Sequence, residues 1–153
     1  MDEAALQYLM ERHGSPQWRD FLDVLGDELF SQLGEAGLAT LMARTGARFA
    51  ERYPTGQCAT LTDLERALAQ IWLDVDWGWT SIHDAGDALL VRHHCTPLHR
   101  PAGELGAAGR WPAAFLLGAY QHWFRQLGSS DSLQMTQVTG FDASGSVDFR
   151  FGK

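Results

Sequence analysis

The densest set of potential ligands in the chain is His93-His94-Cys95-x-x-x-His99. On a strand, His93 and Cys95 point to one face and His94 to the other, and His99 can return from the following loop, so three metal ligands are conceivable. The spacing matches no standard zinc finger and no Cys-x-x-Cys accompanies it, so polar histidines on an edge strand are the better expectation. Gly103, Gly106 and Gly109 precede Arg110 and a helix start, where backbone N–H groups can cradle a phosphate. Neither the P-loop lysine nor an entering strand is present, and a connector is expected there instead. The carboxylate pairs Asp74/Asp76 and Asp84/Asp87 fall at a helix end and in a turn, where capping and solvation account for them. No Gly-x-Ser-x-Gly elbow occurs, Cys58 has no catalytic motif around it, and Cys58 and Cys95 are expected as reduced thiols rather than a disulfide. Trp77 and Trp79 stand two apart, hence on one face if the segment is a strand, and flat aromatic faces are what sugar rings stack on. The alternative is that both plug a helix-to-sheet junction together with Trp72.

The elements that must position these residues follow from periodicity. Leu6, Leu9, Met10 and His13 share a helical face that ends at Gly14-Ser15-Pro16. Phe21, Leu22, Leu25, Leu29, Phe30 and Leu33 continue at helical spacing to Gly34, and Leu38, Leu41, Met42, Thr45, Phe49 and Tyr53 form the inward face of the next helix, stopped by Pro54. Thr60 or Thr62 caps a fourth helix carrying Leu64, Leu68, Ile71, Trp72 and Val75, with Thr62 and Glu65 at capping-box spacing. The period then shifts toward two: residues 79–83 and 88–93 read as a hairpin around Asp84-Ala85-Gly86-Asp87. Residues 95–110 read as an irregular loop, and Pro112 opens a strongly apolar helix through Leu127. Residues 133–141 and Val147–Phe151 form a second hairpin around Asp142-Ala143-Ser144-Gly145. The expected fold is α+β: N-terminal helices on an antiparallel sheet made of two hairpins that flank a long central helix. Residues 15–153 form one domain, and residues 1–14 a separable helix whose Leu6, Leu9 and Met10 are candidates for docking on a neighbouring protomer.

The 153 residues, 45% hydrophobic and 11% aromatic, suffice for a core of that size and exclude a disordered polymer. The net charge of −7 is concentrated N-terminally, where Arg12 and Arg19 stand against eight acids up to Glu35. That stretch repels phosphate backbones and anionic lipid, which argues against nucleic acid and membrane surfaces and suits a basic protein partner. No run approaches the roughly 18 apolar residues of a membrane span, and MDEAALQYLMERHG carries acids where an export signal carries bases, so a cytoplasmic location is expected, a periplasmic one less so.

The series Gly109-x-Trp111-x-Ala113-x-x-Leu116-x-Gly118-x-Tyr120-x-x-Trp123, preceded by Trp77-Gly78 and by Gly46-x-Arg48 in the same order, resembles the D subunit family of the bacterial cellulose synthase complex, BcsD, from about Leu22 to Phe151. The resemblance implies a non-catalytic accessory protein without cofactor that assembles as an octamer built from dimers and organises synthase complexes so that glucan chains crystallise in order. It implies as partners other copies of the chain, other components of the synthase complex and a basic or proline-rich accessory protein. It carries over no glucan-binding residue, because the N-terminal segment does not match beyond being helical. A second resemblance, of the apolar helix and last hairpin, is to vinyl-reductase-type sensor and transport-particle domains, which hold acyl chains or other ligands between helix and sheet. Gly118 inside a helix costs about 1 kcal/mol relative to Ala, so a close backbone approach by another element is expected at it.

Overall fold

A computed structural model describes residues 3–12, 14–97 and 111–153. Four helices and four strands lie among them: α1 (Glu3–Arg12), α2 (Pro16–Arg52), α3 (Leu61–Asp74), β1 (Trp79–Asp84), β2 (Leu89–His94), α4 (Trp111–Gln126), β3 (Gln134–Gln137) and β4 (Val147–Gly152). The strands form one antiparallel sheet in the order β1-β2-β4-β3, so the fold is α+β, and β4 joins the two expected hairpins edge to edge.

Ser15 is extended and Pro16 opens α2, as its fixed φ favours, but the Ser15 hydroxyl makes no capping bond; its carbonyl instead receives the Trp18 and Arg19 N–H groups. The two helices expected on either side of Gly34 are not separated by a loop. They abut in α2, and Gly34 alone leaves helical geometry, at φ 72° and ψ 178°, a conformation that costs a side-chain-bearing residue far more than glycine. The capping box of α3 is Thr60 with Asp63, each accepting the other's backbone N–H at 3.1 Å, rather than Thr62 with Glu65. Glu65 is used elsewhere, its carboxylate accepting the Ile82 N–H of β1 at 2.6 Å and so tying α3 to the sheet edge.

α2 and α4 cross at backbone contact. A Cβ on Gly118 would collide with the Ala43 carbonyl, and one on Gly46 with the Phe115 carbonyl, so each helix contributes a glycine at the point where the other presses on it. Ala113, Ala119 and Ala50 continue the narrow seam. Below it α4 buries Leu116, Tyr120, Trp123 and Phe124 against Val91, Val147, Phe149 and Phe151 of the sheet, and Trp72 of α3 completes the core. Trp72 stacks on Phe49 and meets Trp123, His93 and Tyr120 edge-on, the preferred arrangement of aromatic rings. The Trp123 indole N–H donates to the Tyr53 carbonyl at the end of α2.

The second hairpin is irregular. β3 is four residues long; beyond it the Val138 and Thr139 N–H groups both point at the Asp148 carbonyl, and the chain bends away before Phe141 returns to the core.

Candidate functional site

The histidines expected on an edge strand lie on β2, an inner strand, and are divided by the pleat. His93 points into the core with no exposed surface, contrary to that expectation. One ring nitrogen, Nε2, lies 2.6 Å from the Trp77 carbonyl, which only accepts, so Nε2 carries the proton. Nδ1 therefore accepts from the Tyr120 hydroxyl at 2.6 Å, and the Tyr120 oxygen in turn accepts from the Thr80 hydroxyl at 2.6 Å. Burial holds the His93 pKa down to about 3 against the pull of the Trp77 bond, and burial likewise raises that of Tyr120. The chain of bonds joins β2, α4, β1 and the turn at Trp77. It is a satisfied polar core, sealed by Trp72 and out of reach of solvent.

The other ligand candidates do not converge. Cys95 sits at φ 56°, beyond the strand, where burial raises its thiol pKa, and His99 lies outside the described residues, as do Gly103, Gly106 and Gly109. Among the described residues no three His, Cys, Asp or Glu side chains are placed to hold a metal. Cys58 and Cys95 are free thiols. Asp84 accepts the Gly86 N–H in the hairpin turn, Asp87 pairs with Arg150 at 3.4 Å, and Asp74 receives Gln70: turn and surface work in each case.

Trp77 and Trp79 do not share a face. Asp76 and Gly78 both have positive φ, so the strand starts only at Trp79, and a side chain on Gly78 would strike the His94 carbonyl. Trp77 turns inward against Trp72 and Phe115, as the junction-plug reading has it. Trp79 turns outward, 41% exposed, with its ring parallel to His94 at 4.9 Å.

The largest departure is on the first half of α2. Phe21, Leu25 and Leu33, read only as continuing at helical spacing, are exposed, and Trp18 and Val24 are 59% and 66% exposed. With Leu22 and Leu29 they form a stripe that runs into an apolar groove of ≈ 200 Å3, lined by Leu22, Leu25, Leu29, Leu38, Met42 and Trp111. Leu41 extends it past the Gly34 break; Leu41, Thr45 and Tyr53, expected inward, are all exposed, because α4 meets the face of Gly46 and Ala50 instead. Leu9 of α1 is exposed as well, with Leu6 half-buried; the Met10 side chain lies outside the described ones. Helical periodicity singles out Phe21, Leu22, Leu25, Leu29 and Leu33 but neither Trp18 nor Val24, and it carries no record of which stripe meets the chain's own core. A hint was present: between Trp18 and Leu25 the large apolar residues cover more of the circumference than a single buried stripe requires. No helix among the described residues is long and apolar enough to cross a membrane.

The model of the family described as the D subunit of cellulose synthase matches residues 4–152. Cellulose synthase operon protein D of Komagataeibacter xylinus is 27% identical over 113 residues, covering 72% of this chain and 71% of the relative, and the protein of the same description from Komagataeibacter sucrofermentans gives the same figures. Among solved structures, a trafficking protein particle complex subunit 3 from Naegleria fowleri, covalently bound to palmitic acid, superposes at a TM-score of 0.48 with 9% identity over 99% of this chain and 98% of that one. With a family match over nearly its whole length, the chain belongs to the cellulose synthase D subunit family and has its role in cellulose synthesis.

Proposed function

We propose that the chain is a non-catalytic scaffold component of a bacterial cellulose synthesis and secretion system, assembling with copies of itself and organising synthase complexes so that glucan chains crystallise in order. The observation that carries this reading is the uncovered apolar stripe of α2. Large apolar side chains left exposed along one helix and beside an apolar groove mark a contact surface, because leaving several of them in water forgoes about 1.5–3 kcal/mol for each one that burial would recover. Self-association with closed symmetry covers such a stripe on every protomer and ends in a particle of fixed size. The stoichiometry that fits the family resemblance is an octamer built from dimers. A non-catalytic role is supported by the sealed His93–Tyr120–Thr80 bonds, which hold the buried imidazole neutral and away from any substrate. Leu6 and Leu9 on α1 are further candidates for the contact. The scaffold sits on the cytoplasmic side, near the synthase, with other components of the synthase complex or a basic or proline-rich accessory protein as partners.

Light scattering coupled to size exclusion tests the reading: a discrete mass of about eight protomers is expected, falling to a smaller species when Phe21 and Leu25 are both replaced by Asp. A wild-type monomer at assembly-favouring concentration overturns it. Removal of residues 1–14 separates two roles for α1: a folded protein of smaller mass assigns it to the contact between protomers, and global unfolding assigns it to its own domain.

A further inference from the structure

The outer face of the β1–β2–β4 sheet, the side away from α4, is built unlike a solubilising surface. Trp79 and His94 are register partners across β1 and β2, and their rings lie within 7° of parallel. The His94 ring is itself held by a 2.8 Å bond between Nε2 and the Ser81 hydroxyl. One face of the indole is thus covered and its plane fixed, while the 41% exposure of the residue leaves the opposite face to solvent. In the next row Arg92 is clamped by two bonds to Asp148, at 2.9 and 2.8 Å, and by one to Asp142 at 2.8 Å. Burial alone would raise the Asp142 carboxyl, but the bonds it accepts from Ser144 and Ser146 outweigh that and keep it below the usual range. Arg150, on the adjoining strand, pairs with Asp87.

We infer that this face is a binding platform for a β-1,4-linked glucan chain, with the exposed indole face of Trp79 stacking on a sugar ring and the clamped Arg92–Asp148 row meeting its hydroxyls. The inference rests on the reading of the chain as a component of cellulose synthesis and deepens it by naming the contact with the polymer. Two observations select an uncharged, flat, polyhydroxylated ligand. Arg92 and Arg150 each already have a carboxylate against them, so the face offers no net positive field to a nucleic acid or an acidic peptide. Its broadest apolar element is a single aromatic plane, too narrow for a helix groove but suited to the C–H face of a pyranose ring. Because the side chains are fixed before binding, little conformational entropy is lost on contact, which is what a weak-per-sugar, multi-sugar interaction needs.

The test is affinity electrophoresis of the purified full-length chain in native gels containing hydroxyethyl cellulose, with dextran as the uncharged polysaccharide that lacks the flat β-1,4 chain. Retardation by hydroxyethyl cellulose and not by dextran is expected. Trp79→Ala should weaken it about tenfold, the size of one lost aromatic stacking contact, and Trp79→Tyr should retain it within about threefold. Circular dichroism and light-scattering mass accompany each variant. An unretarded wild type, or equal retardation of Trp79→Ala, overturns the inference; so does a fall in assembly mass on Trp79→Ala, which would make the face a contact between protomers. A wild type that is monomeric yet retarded leaves the platform standing and removes the self-assembly reading, so the two fail separately.

Discussion

The second half of α2 and its first half carry similar apolar periodicity and meet opposite fates. After Gly34 the helix presses Leu38, Gly46 and Ala50 into α4 until the two backbones touch, and everything beneath is sealed down to the bonded imidazole of His93. Before Gly34 the helix carries Trp18, Phe21, Val24 and Leu25 into solvent. One half is specified by close fit and by the bonds that hold His93 and Trp123, the other only by hydrophobicity. The first kind of surface determines a monomer's fold; the second is available to whatever covers it. Perturbations of the two halves should therefore separate folding from assembly.

The largest effect is expected at the crossing itself. Gly118→Leu places a branched side chain where the Ala43 carbonyl stands, and neither backbone can retreat without opening the core. Overpacking against backbone should cost about 3 kcal/mol or more, or prevent folding altogether, read by urea denaturation. Unchanged unfolding would mean that α2 and α4 do not cross at this glycine.

His93→Ala comes next. It strands the Trp77 carbonyl and the Tyr120 hydroxyl in the core and leaves a cavity, at a cost of about 2–4 kcal/mol. Phe at the same position fills the space but repairs neither bond, and should recover only part of the loss in the same denaturation experiment.

Acid probes the same group without mutation. His93 is neutral when folded, with its pKa depressed to about 3, while the unfolded chain takes up a proton near the ordinary value of about 6.5. The unfolded state thus binds the extra proton first, and stability falls as pH drops through about 6.5 and goes on falling toward 3, by about 1.4 kcal/mol per pH unit over most of that range. Between pH 7 and pH 5 the loss is about 2 kcal/mol. His93→Gln, which does not titrate, should flatten this slope even if it lowers stability throughout; an equally steep slope in that variant would assign the acid sensitivity to other groups.

Gly34→Ala, at the boundary between the two halves, is milder. Nothing surrounds that position, so the penalty is only the backbone's, about 1–3 kcal/mol for a side chain at φ 72° and ψ 178°, a region populated almost only by glycine. A stabilising effect would mean that α2 runs straight through residue 34 and that its halves are not set apart there.

The unequal legibility of the sequence has the same physical root as the two halves of α2. The class of fold, the hairpin turns, the Gly34 break and the helix from Pro112 are local or periodic signals, and each stands where the residues put it. What needed partners from far along the chain was not readable. Nothing within a few residues of Thr60 distinguishes Asp63 from Glu65 as a capping partner, because Glu65 is drawn off by Ile82 across the fold. Trp77 and Trp79 differ in direction because two positive-φ residues flank the first of them; Asp and Gly both tolerate that conformation, but neither type requires it. His93 looks like any polar strand residue until β4 covers its strand and Tyr120 supplies its bond. The exposed α2 stripe was legible as apolar and illegible as uncovered.

That stripe supplies the smallest effect on the monomer and the sharpest test of the comparison. Phe21→Asn or Leu25→Asn changes a side chain that its own domain leaves in water, so dilute, unassembled protein should unfold within about 0.5 kcal/mol of wild type. The same exchange at Phe115, in the core beside Trp72 and Trp77, should unfold the domain. At concentrations where the wild type is assembled, its melting temperature should rise with protein concentration, since association stabilises only the folded state, while that of the stripe variants stays flat. A wild type whose melting is independent of concentration in the presence of a large particle would place the contact elsewhere. A stripe variant that is unstable even when dilute would mean that the first half of α2 belongs to the monomer's fold after all, and the division between a fitted half and an offered half would fall with it.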